Sequence, residues 1–166
     1  MRLLTQVFAI DVCAYAIMSN HYHLVLHVNT ANAESWSDEE VVQRWTALYK
    51  APLLVSRWFS GELKSKAEIN KTLELIDEWR ERLQNISWFM RNLNEYVARE
   101  ANKEEGCKGR FWENRFKSQA LLDEKALLSC MAYMDLNLVR SDMVQSLEKS
   151  EFTSIYERIH SVACSL

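Results

Sequence analysis

Ser19-Asn20-His21-Tyr22-His23-Leu24-Val25-Leu26-His27-Val28 sets three histidines at alternate positions inside an apolar run. A two-residue period is that of a β-strand, with Tyr22, Leu24 and Leu26 on one face and His21, His23, Val25 and His27 on the other. Alternate Cα atoms of a strand stand roughly 6.5 Å apart, a gap that two imidazoles leaning together close around one divalent ion. His21 and His23 would then supply half of a ligand set. The same pair also suits a strand whose imidazoles only make hydrogen bonds. His27 shares the face but lies too far along to reach the same ion; a phosphate contact or plain packing fits it better. His160 falls in a C-terminal helical stretch and reads as surface.

The remaining ligand has to come from elsewhere in the chain, and Ser129-Cys130-Met131-Ala132-Tyr133-Met134-Asp135-Leu136-Asn137-Leu138-Val139-Arg140 offers one. Tyr133 and Asn137 are four apart, which on a helix stacks them on one face. An amide oxygen that completes a metal site would hold the phenol close to whatever the metal binds. Leu127, Met131, Met134 and Leu138 form the apolar stripe of this helix, and Ala126, Tyr133, Asn137 and Arg140 lie about a third of a turn away. Tyr133 is therefore not aimed into the core, although a tyrosine with a buried ring and a wet hydroxyl fits the pattern too. Tyr96, which Asn92 precedes by four, is the fallback; Tyr15, Tyr49 and Tyr156 have no such neighbour.

A chain of 166 residues is long enough for one domain with one core. Only three glycines and one proline, with six tryptophans and 48% apolar residues, indicate a helix-rich, well-packed protein. No repeat, signal peptide or run of membrane-spanning length is visible. Cys13, Cys107, Cys130 and Cys164 lack paired spacing, which suits reduced thiols and a cytoplasmic location with no membrane partner. A formal charge of −3 argues against a protein that coats DNA through its whole surface. A local patch is still available: Lys103, Lys108, Arg110, Arg115 and Lys117 surround Phe111, Trp112 and Phe116. That mixture of cations and flat rings suits phosphates and unstacked bases. Basic residues on a solvated surface over an aromatic core are the other reading.

Periodicity and capping signals predict a helix over 3–9, a strand over 12–18, a turn at Ser19-Asn20 and the histidine strand over 21–28. A polar link over 29–37 ends at Ser37, followed by Asp38, Glu39 and Glu40 as a helix N-terminus. That helix would run to about Lys50, where Pro52 interrupts before a turn at Trp58-Phe59-Ser60-Gly61. Helices follow over 66–84 and 86–103, the second burying Ile86, Phe89, Met90, Leu93, Val97 and Ala101 against a sheet. Residues 110–121 read as a loop and a strand with Arg115, Lys117 and Gln119 on one face. Asp123 then caps the helix of Tyr133, and a last helix spans 153–164.

Three blocks carry a resemblance: Ala14-Tyr15-Ala16-Ile17-Met18-Ser19-Asn20-His21-Tyr22-His23, then Gly109-Arg110-Phe111-Trp112-Glu113-Asn114-Arg115-Phe116-Lys117-Ser118, then Tyr133-Met134-Asp135-Leu136-Asn137-Leu138-Val139-Arg140. In this order the chain resembles the single-tyrosine HUH transposases, most closely the REP-associated tyrosine transposases. With their flanks the blocks span about half of the chain. The resemblance implies a ferredoxin-like α+β fold, an antiparallel sheet with helices packed on one face, and residues 29–84 are a helical insertion relative to shorter members. It implies transposition chemistry that cuts and rejoins single-stranded or hairpin DNA. A Mg²⁺ or Mn²⁺ ion held by His21, His23 and Asn137 would bind a phosphate oxygen, and Tyr133 would form a 5′-phosphotyrosine link. Arg140 would steady a phosphate, and Lys108, Arg110, Trp112, Arg115 and Lys117 would hold the flanking strand or hairpin.

One departure from the family pattern bears on activity. Members carry a further strand before the first helix, paired beside the histidine strand, and the sequence starts almost inside that helix. The expectation is an open edge next to the metal site, filled by another segment or by a second copy in a homodimer. The alternative is a catalytically inactive or domesticated remnant that binds DNA hairpins without cutting them. A metal-binding phosphohydrolase with no covalent intermediate is a third class, indifferent to loss of the Tyr133 hydroxyl.

Overall fold

The computed structural model describes residues 1–140, 146 and 150–163, without the side chains of 138–140, 162 and 163. The fold is α+β, with an antiparallel two-stranded sheet of β1 (Ile10–Ile17) and β2 (Tyr22–Val28) and helices packed against it. The Met18 N–H donates to the His21 carbonyl at 2.9 Å, closing the turn at Ser19-Asn20 where the sequence predicts it. Carried along the hairpin, this register sets Ala16 opposite His23 and Ala14 opposite Val25. The free edge of β1 is occupied by the C-terminal segment. Ala16 forms a bridge to Thr153, the Ile17 N–H donates to the Phe152 carbonyl at 3.0 Å, and the Tyr15 N–H donates to Ser154 Oγ at 3.2 Å. Among the described residues no strand other than β1 pairs with β2.

Packing divides the chain into two compact units, one of Met1–Asp11 with Val28–Phe116 and one of Val12–His27 with Lys117–Leu166. The first unit is helical: α1 (Arg2–Val7), α2 (Thr30–Ser35), α3 (Asp38–Thr46), α4 (Leu53–Phe59), α5 (Lys66–Leu83) and α6 (Ile86–Glu104). Its core buries Phe8, Val41, Val55, Ile76, Leu83 and Phe89, with Phe8 edge-on to Phe89 at 5.5 Å. The Trp45 ring stacks on both Tyr49 and Trp79, at 4.4 and 5.1 Å between centroids. Ser37 Oγ accepts from the Glu40 N–H at 3.2 Å, the cap that the Ser-Asp-Glu-Glu run predicts.

Two helices form where the sequence reads as irregular. Residues 29–37 hold α2, because the Asn29 side chain accepts from the Asn32 N–H and starts a turn. Pro52, read as an interruption, stands at the start of α4, where a missing N–H costs nothing.

The second unit contains the hairpin body, α7 (Glu124–Arg140) and α8 (Ser154–Ala163). Asp123 Oδ1 accepts from the Ala126 N–H at 2.7 Å, the predicted cap of the tyrosine helix. The strand expected within residues 110–121 does not form, and the segment runs without regular structure. Its apolar residues at 111, 112, 116, 120 and 121 do not alternate, so no register gives it a buried face. Among the described residues no helix is long and apolar enough to cross a membrane.

Candidate functional site

The His21 and His23 rings meet edge to face, 5.2 Å between centroids. His21 is exposed at the mouth of the turn, and its Nδ1 lies 2.6 Å from Asn20 Oδ1. An N–H donated there leaves the ring's lone pair on Nε2, the arrangement that suits a metal ligand. His23 is half-buried, and burial, followed by the nearby His21, holds its pKa below the ordinary histidine range. The ring is thus neutral at neutral pH, the form that ligates. His27 is exposed on the same strand.

The tyrosine helix packs on the face of β2 that carries these rings. Met134, 2% exposed, joins Val25 and Ala14 in one buried cluster, with Leu127, Cys130, Met131 and Cys13 packed around it. Val25 shares a strand face with His23, by alternation. Tyr133 adjoins Met134 in sequence and is 49% exposed, and Asn137, one turn beyond Met134, is half-buried. All four proposed catalytic and metal residues therefore belong to one compact unit.

Among the described residues no three His, Cys, Asp or Glu side chains converge as a metal site. Two imidazoles with an amide oxygen such as that of Asn137 would make an N,N,O donor set; the imidazoles suit a divalent transition ion, and Mn²⁺ or Mg²⁺ would need phosphate oxygens and water to complete the shell. The side chain of Arg140 lies outside the described residues. The fallback Tyr96 fares less well. Asn92 accepts from the Tyr49 hydroxyl at 2.9 Å and donates to the Trp88 carbonyl at 2.8 Å, and both Tyr96 and Asn92 belong to the helical unit.

The basic-aromatic segment lies along α6 through specific bonds. Trp112, half-buried, donates its indole N–H to the Asn94 carbonyl at 2.9 Å, and Arg110 Nε donates to the Trp112 carbonyl at 2.9 Å. Asn102 donates to the Gly109 carbonyl at 3.0 Å, and Arg115 donates to Ser87 Oγ at 2.9 Å. Lys108, Arg110, Arg115 and Lys117 are exposed; the first three belong to the helical unit and Lys117 to the hairpin unit. Against α6 the segment leaves a cleft of about 430 Å³, lined by Ser87, Trp88, Arg91, Asn94, Arg115 and Phe116. Trp88 and Arg91 belong to no motif, and their i, i+3 spacing beside the apolar stripe is the one local signal of a shared face. Comparison with protein-family models, curated proteins and solved structures finds no match for the chain.

Proposed function

We propose that this chain is a nuclease of the single-tyrosine HUH transposase type, acting on single-stranded or hairpin DNA. The observation that carries the reading is the seating of Met134 on Val25, which lays the helix of Tyr133 and Asn137 on the strand face that holds His21 and His23. His21 Nε2, the neutral His23 ring and the Asn137 amide oxygen would hold the metal. A bound Mg²⁺ or Mn²⁺ would offset negative charge on the scissile phosphate.

The Tyr133 phenol oxygen attacks phosphorus, the P–O bond to the 3′ oxygen breaks, and the phenol proton passes by way of solvent to the leaving 3′-hydroxyl. A 5′-phosphotyrosine link forms with no net change in the number of phosphodiester-type bonds. A 3′-hydroxyl attacking that link rejoins the strand and restores the phenol, so no external energy source is required. The exposed Tyr133 ring supports access by a DNA backbone. The exposed cations of the 108–117 segment supply local positive charge in a chain whose net charge is −3.

The test is incubation of labelled hairpin DNA bearing a single-stranded flank with the protein and Mn²⁺, followed by denaturing electrophoresis. A covalent protein–DNA band that Tyr133→Phe and His21→Ala both abolish is the expected result. Binding with no band from a folded protein would overturn cleavage and leave the hairpin-binding remnant. Metal-dependent cutting that survives Tyr133→Phe would identify a phosphohydrolase.

A further inference from the structure

We infer that the cleft between α6 and residues 115–116 is a binding site for one unstacked nucleotide of single-stranded DNA, with Arg91 and Arg115 on its phosphate and Phe116 with the edge of Trp88 against its base. The inference rests on the reading of the chain as a DNA-binding protein, and it assigns a role to α6 residues outside the proposed cleavage site.

Size, charge and lining all point to this ligand class. A cleft of about 430 Å³ is within the range of small-molecule sites. Its six lining residues comprise two arginines, two aromatics, a serine and an asparagine, with no carboxylate. Neither Arg91 nor Arg115 makes an ion pair among the described residues, in a chain with more acidic than basic side chains. Both guanidinium groups are instead held by neutral contacts. Arg91 lies over the Trp88 ring at 5.2 Å, and Arg115 lies over Phe116 at 5.5 Å while donating to Ser87.

A guanidinium braced on an aromatic face keeps its N–H edge for a second partner, and a planar two-donor edge matches a phosphate. Arg82 also lies over Trp88, at 4.6 Å, but is paired with Glu78 and does not line the cleft. Of the three arginines that lie over Trp88 or Phe116, the two without an ion pair among the described residues, Arg91 and Arg115, both line the cleft. Phosphate-binding donors beside an aromatic wall are what an unstacked nucleotide requires, and duplex DNA, whose bases are stacked, offers its backbone and base edges but no open base face.

The experiment is fluorescence anisotropy with two labelled hairpins of one stem, one blunt and one carrying a single-stranded flank, at fixed salt and without metal so that no cutting intervenes. Arg91→Ala and Arg115→Ala change exposed side chains, and Arg99→Ala, an exposed α6 arginine paired with Glu95, serves as the control. Each cleft substitution should weaken the flanked hairpin by about tenfold and lower the salt slope by about one unit, with the blunt hairpin and the control unchanged. Unchanged binding of the flanked hairpin by both cleft variants would overturn the inference. Equal weakening of both hairpins would overturn it as well, because it would make the cleft a duplex-backbone contact. Absence of a covalent band in the Mn²⁺ assay, with the flank-specific effect intact, would sink the cleavage reading alone.

Discussion

Arg158 on α8 donates from one nitrogen to both carboxylate oxygens of Asp135 on α7, at 2.7 and 2.6 Å. Asp135 stands between Tyr133 and Asn137 in sequence, so this contact ties the segment that carries both to a second helix of the same unit. The Asp135 side chain is 18% exposed and that of Arg158 is 41% exposed, so solvent screens part of the attraction. Arg158→Met should cost about 1 kcal/mol, read as a lower urea midpoint at unchanged slope. A double-mutant cycle with Asp135→Asn should return a coupling of about 0.5 kcal/mol or more, and strict additivity would show that the contact contributes nothing.

The Val25–Met134 contact is the packing that brings α7 to the histidine face. Met134→Ala should cost about 2–5 kcal/mol, because the buried side chain leaves a cavity between helix and hairpin. Met134→Leu, which conserves volume, should cost less than about 1.5 kcal/mol. Denaturant unfolding followed by circular dichroism separates the two, and equal losses would place the side chain outside the core.

Metal binding can be read without any DNA. Mn²⁺ at about a hundred times its dissociation constant should stabilise the protein by about 2.7 kcal/mol, seen as a rise in melting temperature that a chelator reverses. His23→Ala should abolish the rise, and His27→Ala should leave it. A rise that persists in His23→Ala would move the metal elsewhere.

Arg80 on α5 holds α2 and the start of α3. It donates to the Ala33 and Trp36 carbonyls at 3.0 and 2.5 Å and to Asp38 at 2.8 Å, with 17% of its side chain exposed. Arg80→Met leaves those two carbonyls without this donor and should cost about 1–3 kcal/mol. Amide exchange should accelerate first in α2. Uniform acceleration through α5 and α6 would contradict a local role.

Local patterns carried much of this architecture. The alternation from His21 to Val28 specified a strand, Ser19-Asn20 its turn, and Ser37 and Asp123 the starts of two helices, because period and capping act over a few residues. Short-range signals misled where they were weak. The six residues of α2 and the seven of α4 are too short for a periodic stripe, and each is held by its start and its packing. The strand expected within residues 110–121 had polar side chains at alternate positions, Arg115, Lys117 and Gln119, but no apolar face to bury.

Sequence by itself therefore determined the histidine pair, the Tyr133–Asn137 spacing, the hairpin and the longer helices, all of which follow from backbone geometry within one strand, turn or helix. Tertiary structure decided the seating of Met134 against Val25, the claim of Tyr49 on Asn92, and the gathering of Trp88, Arg91 and Arg115 around one cleft. Those pairings join residues far apart in the chain, and only the packing of the buried side chains between them sets which surfaces meet.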